Sequence, residues 1–139
     1  MNTEDYVSYP IAKSLNAAGF DWPCDHYYTK EDAPEGTVWI VPTTDRENFN
    51  ADSDCPFCKT LCSAPTLAHA QKWLREVKHC DVTVYAQPYN GLPYYTGYIL
   101  FEGDETEVLD DNGQWFDDYE KAMSETIASA LELIEQENK

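Results

Sequence analysis

Between Cys62 and His79, apolar side chains return every three or four residues: Leu67, Ala70, Leu74 and Val77, with Trp73 widening the stripe. That spacing marks one face of an α-helix, and His69, Lys72, Arg75 and Lys78 fall on the other face. Pro65 suits the first turn, where its missing N–H would have had no partner, and Ser63 or Thr66 can cap the start. A second helical pattern over residues 6–18 aligns Val7, Ile11, Leu15 and Ala18, with Pro10 near the beginning. Gly19 follows as a left-handed stop that brings Phe20 against Leu15. A third helix runs from about Asp118 to Glu135. Tyr119, Met123, Ile127, Ala130 and Ile134 form its inner stripe, with Leu131 and Leu133 beside them. Asp117 and Glu120 have capping-box spacing.

Strand signals fill most of the remainder. DWPCDHYYT and TVWIV are short, aromatic or β-branched, and separated by the turn-like APEG; they predict a hairpin whose ends are marked by Pro23 and Pro42. DVTVYAQ alternates Val82, Val84 and Ala86 against Thr83, Tyr85 and Gln87. The Asn90-Gly91 pair turns the chain into a returning strand, YYTGYILF, and a short third strand, TEVL, lies between EGDE and DDNG. Residues 43–61 show no apolar period and predict a long polar loop. The order predicts a single α+β domain over 1–139, an antiparallel sheet packed against two or three helices, with a second half of α-β-β-β-α.

Composition changes this picture little. At 139 residues, 42% of them hydrophobic, with ten Tyr, five Phe and four Trp, the chain is long and apolar enough for a packed core and too aromatic for disorder. No run approaches the roughly 18 apolar residues of a membrane span, so no membrane association is expected. The opening MNTEDYVSYP is polar and acidic and does not resemble a signal peptide, which points to a reducing cytoplasm, with the thiols free or on metal rather than in disulfides.

Charge changes it more. The formal net charge is −17, and residues 102–139 hold 13 acidic side chains against Lys121 and Lys139, a net of −11. Such a field repels phosphate backbones and anionic lipids and attracts basic surfaces, so a basic protein partner is expected and direct nucleic-acid binding is not. The candidate surface comprises Asp104, Glu105, Glu107, Asp110, Asp111, Asp117, Asp118, Glu125 and Glu132. In its extreme form such a surface mimics nucleic acid and inhibits a host or defence protein; in its plainest form it only keeps the chain soluble. The α-β-β-β-α order also matches double-stranded-RNA-binding modules in outline, but their second helix is lysine-rich and the last helix here is acidic. Lys72, Arg75 and Lys78 form a basic face of the kind that is usually solvated.

Chemistry-bearing residues are sparse. Cys55, Cys58 and Cys62 stand as C-x2-C-x3-C, a spacing that can hold zinc if Cys24, Cys80, His26, His69 or His79 supplies a fourth ligand. A second C-x2-C pair is missing, so a small zinc or redox module built on CPFCKTLC stands as the alternative to an interaction protein, and no metal or cofactor is the expectation. The redox form is weaker, because CPFC does not link a strand to a helix. Asp110, Asp111 and Asn112 miss calcium-loop spacing, since Val108 sits where the first ligand should be. No nucleophile–base motif or phosphate-binding loop occurs, so no catalytic residue and no enzymatic activity are expected.

One likeness to known proteins can be stated from these residues. Cys62-Ser63-Ala64-Pro65-Thr66 followed by Trp73-Leu74-Arg75-Glu76, with Gly19-Phe20, Pro23-Cys24, Tyr27-Tyr28 and the acidic last helix, resembles a family of small uncharacterised proteins from genomes and prophages of gut anaerobes. The resemblance spans about two thirds of the chain, and the CPFC segment departs from that family's pattern. It implies a phage or mobile-element accessory, and hence a bacterial host cytoplasm, and carries no known activity and no catalytic residue.

Overall fold

A computed structural model describes residues 5–31, 33–34, 37–52, 60–101, 107–109 and 115–137. The protein is α+β, and the described residues form three α-helices and two antiparallel sheets. The chain divides into two compact units, Met1–Thr66 and Leu67–Lys139, and each has its own sheet.

The first unit opens with α1, Tyr9–Ala17, with Pro10 in its first turn and Ser8 ahead of it in extended conformation. Its end forms as the sequence predicts. Gly19 takes φ +99°, its N–H bonds to Asn16 O at 3.1 Å, and the Phe20 N–H returns to Leu15 O at 2.9 Å. Those two bonds make a Schellman motif, and Leu15 and Phe20 are both buried beside it. Val7 is fully buried but belongs to the extended segment before the helix; within the helix Ala12 lies inside with Ile11, while Ala18 is only half-buried.

Strands β1 (Cys24–Thr29), β2 (Trp39–Glu47) and β3 (Thr60–Ser63) pair antiparallel in the order β2-β1-β3. The predicted hairpin is β1 with β2, but Pro42 does not end β2. It lies within the strand opposite His26, and β2 runs on to Glu47. β2 is an edge strand, the place in a sheet where a missing N–H donor is tolerated. The predicted polar loop is therefore shorter than 43–61. Thr43–Glu47 extend β2, Phe49–Asp52 form a 3-10 turn, and Thr60–Ser63 form β3; residues 53–59 lie outside the described residues.

Both faces of this sheet are occupied. On one, the Tyr28 hydroxyl donates to Val7 O at 2.6 Å and its ring lies 5.4 Å from that of Tyr9. On the other, Phe49 stacks on Tyr27 at 4.5 Å, and its N–H donates to Ser63 Oγ at 2.9 Å. The Asn50 amide accepts the Ser63 N–H and donates to Phe20 O, so the 3-10 turn is tied both to β3 and to the end of α1.

The second unit follows the predicted α-β-β-β-α order: α2 (Leu67–Val77), β4 (Cys80–Tyr89), β5 (Leu92–Phe101), β6 (Glu107–Leu109) and α3 (Tyr119–Glu137). Leu67, Ala70, Trp73 and Leu74 are buried, so the stripe is the core of this unit, but Val77 is 44% exposed at the helix's last residue. The helix starts later than predicted. Pro65 precedes it and accepts the Val7 N–H, while Ser63 belongs to β3 rather than to a cap. His79, two residues past the helix, takes φ +54°, a left-handed position that glycine would take without steric cost.

Asn90 and Gly91 have φ of +51° and +80°, the two positive values of a type I′ turn, and they fix the register Tyr89–Leu92, Gln87–Tyr94, Tyr85–Thr96. The predicted alternation holds near the base, where Cys80 and Val82 are buried, and fails toward the turn, where Ala86 is exposed. α3 buries Ala122, Met123, Thr126, Ile127, Ala130, Leu131 and Ile134. Tyr119, predicted to lie inside, is 44% exposed with its ring edge-on to Tyr95. The cap is Asp118, one residue later than predicted: its carboxylate accepts the N–H groups of Glu120 and Lys121. α3 and β5 meet closely at Gly97, where a Cβ would fall inside the Thr126 side chain, 2.9 Å from its Cβ and Cγ2. No helix among the described residues is long and apolar enough to cross a membrane.

Candidate functional site

In a β-ladder the side chains of facing residues share a face, and successive residues alternate. The β4–β5 register therefore places Gly97 on one face, where α3 packs, and Tyr85, Gln87, Tyr89, Leu92, Tyr94 and Tyr98 on the other. A segment from beyond β6 completes that second face. The N–H and C=O groups of Phe116 and Tyr95 exchange two 2.7 Å hydrogen bonds, an isolated antiparallel bridge along β5. Phe116 turns inward and is 7% exposed; Trp115, one residue earlier, faces the other way and is 41% exposed.

The rings meet edge to face. Trp115 lies 6.0 Å from Tyr85 at 86°, Tyr85 lies 5.9 Å from Tyr98, and Tyr89 lies 5.8 Å from Tyr94 at 80°. Together Gln87, Pro88, Tyr89, Tyr94 and Trp115 line an open groove of about 410 Å³. That volume is within the roughly 300–1,000 Å³ of ligand-binding clefts. Tyr89 and Leu92 at the hairpin end are more than 60% exposed, so apolar surface continues past the groove onto the turn. The lining offers ring faces, phenol hydroxyls, an indole N–H and one amide. Among the described residues the lining has no carboxylate, imidazole or thiol.

Of the predicted acidic surface, Asp104, Glu105, Asp110 and Asp111 lie outside the described residues, and Glu107 is placed in β6 by its backbone alone. Asp117, Asp118, Glu125 and Glu132 are exposed, as are Glu120 and Glu135 along α3, and Asp117 stands two residues from Trp115.

The cysteines divide differently. Cys55 and Cys58 lie outside the described residues. Cys62 is buried on β3, and burial pushes its thiol up to about 12; burial likewise raises Cys24 to about 11. Protonated interior thiols of this kind behave as small hydrophobes. Among the described residues no group of three metal-ligating side chains comes together. His26 lies against the Tyr6 ring and pairs with Asp25 at 2.9 Å, and that hydrogen bond holds the Asp25 carboxyl below its ordinary range. His69 is half-buried on α2 and His79 is exposed at its end.

The groove is the feature the sequence pattern did not single out. Its signal was present, because Tyr85, Gln87 and Tyr89 alternate in β4, and Tyr94 and Tyr98 in β5. Alternation names two faces, however, and does not say which one is covered. Compared with known proteins, the chain shows no significant match to any family model, curated protein or solved structure.

Proposed function

We propose that this is a non-enzymatic interaction protein that binds a basic protein surface, an accessory of phage or mobile-element origin acting in a bacterial cytoplasm. The open aromatic groove carries the reading. It is a partly apolar concavity with the aromatic lining of an interface hot spot. Charge supplies the sign of the partner: residues 67–139 hold 15 acidic side chains against five basic ones. Exposed carboxylates on α3 would raise the encounter rate with a cationic surface and make it salt-dependent. The phage setting rests on the resemblance of the CSAPT and WLRE segments.

The test is capture from host lysate at several ionic strengths, with wild type beside a variant carrying Glu120→Lys, Glu125→Lys, Glu132→Lys and Glu135→Lys. The expected result is a basic partner that elutes as salt rises and is not retained by the variant. An unchanged set of retained proteins would mean that the acidic surface is only solvated.

A further inference from the structure

We infer that the groove between the β4–β5 hairpin and Trp115 receives an extended, proline-containing segment rich in Lys or Arg. This rests on the proposed basic partner and names the part of it that enters the site. Shape is the first argument. Tyr85 with Trp115 and Tyr89 with Tyr94 stand at 86° and 80°, so the rings form slots instead of a flat shelf. A polyproline II chain, with three residues per turn, presents its proline rings as ridges that enter aromatic slots of this kind. Such a chain makes no internal hydrogen bonds, and the exposed Gln87 amide at the groove can donate to one of its carbonyls. It is also extended before it binds, so little ordering entropy opposes docking.

Charge is the second argument, and it decides between two ligands that use aromatic sheet faces. Single-stranded nucleic acid also stacks on such faces, but it needs basic side chains to follow its backbone. Among the described residues no Lys or Arg lines this groove, and the chain carries −17. A guanidinium or ammonium group, in contrast, gains from the Trp115 and tyrosine ring faces and from Asp117 nearby in the chain. The third argument is preorganisation. The Asn90-Gly91 turn sets the hairpin wall, and the paired bonds of Phe116 to Tyr95 set the Trp115 wall, so both are fixed by the chain's own backbone.

The probe is a synthetic arginine–proline peptide of about ten residues, long enough to span several turns of a polyproline helix. Three controls accompany it: the same peptide with Glu for Arg, an oligo-arginine without proline, and an oligothymidylate. Binding is followed by the Trp115 indole N–H signal in NMR and by tryptophan fluorescence. The arginine–proline peptide is expected to shift that signal and to bind at least about tenfold more tightly than each control. Trp115→Ala and Tyr94→Ala should each weaken it by about tenfold or more, as removal of an interface hot spot does, while amide spectra away from the groove stay in place. Equal binding by oligo-arginine, insensitive to Trp115→Ala, would overturn the groove as the site and leave the acidic-surface reading standing. Oligothymidylate binding at Trp115, or no response to the arginine–proline peptide, would overturn the inference outright. Failure of the broader reading shows elsewhere, in lysate retention that ignores the α3 charge reversals.

Discussion

The two units use the same materials to opposite ends. Each has a small antiparallel sheet rich in tyrosine, with helix packed against it. In the first unit the tyrosines are consumed internally: Tyr27 lies under Phe49, and Tyr28 packs near Tyr9 and hydrogen-bonds Val7. In the second unit α3 takes one face, and the other displays Tyr89, Tyr94 and Trp115 around a groove. A single four-residue turn, Phe49–Asp52, accounts for much of the contrast, because it folds back over the first sheet and the second has no described counterpart. What a tyrosine does is therefore set less by its strand than by whether another segment returns over it.

The largest effect should come from the core that holds the groove's sheet in place. Leu74 is fully buried, so Leu74→Ala should cost about 2–5 kcal/mol, the range for interior leucines. Val77→Ala, on the same stripe but exposed, should stay within about 0.5 kcal/mol. Chemical denaturation of both variants checks the pair, and equal losses would place Val77 in the core. Next is Gly97→Ala, which has no room against Thr126 and should destabilise the second unit by about 1–3 kcal/mol. Hydrogen exchange should show the loss in β5 and α3, with smaller changes in β1.

The first unit should respond to alkali through its thiols. Cys24 and Cys62 are raised from an ordinary value of 9.0 to about 11 and about 12. Above pH 9 the unfolded chain releases protons that the folded chain keeps, so the folded state binds more protons and stability falls as pH rises toward those values. Below pH 9 both states are protonated and the contribution is fully present. Denaturation midpoints at pH 8 and pH 10.5 should differ, and the difference should shrink in Cys62→Ala. The smallest effect concerns His79. Relieving its left-handed φ of +54° with His79→Gly should stabilise by about 0.5–1 kcal/mol, read as a rise in melting temperature.

The parts that were legible in the residues are those governed by local rules. The α2 stripe, the Gly19 stop, the Asn90-Gly91 turn and the α3 stripe each need only neighbours within a few positions. The parts that were not legible depend on partners far along the chain. Pro42 reads as a strand end unless β2 is known to be an edge, and TLCS is too short to stand out as a strand before β1 pairs with it. The cap moved from Asp117 to Asp118 because adjacent aspartates offer the same chemistry, one residue apart. The groove stayed hidden for the same reason as β3. Its far wall, Trp115, joins β5 through a bridge that no local pattern announces.

The Asn90-Gly91 turn also has a consequence in time. It joins strands adjacent in sequence, so the hairpin wall can close within about 1–10 μs, whereas Trp115 must come back from beyond β6. During synthesis the hairpin emerges first, and Tyr89, Leu92 and Tyr94 face water before the second wall exists. An uncovered aromatic ribbon at that stage invites pairing with a neighbouring chain. Pro88 and Pro93 face each other across the hairpin directly below the turn, and neither has an N–H to offer. They act as gatekeepers, keeping the aromatic end of the hairpin from templating a further strand while the chain is incomplete.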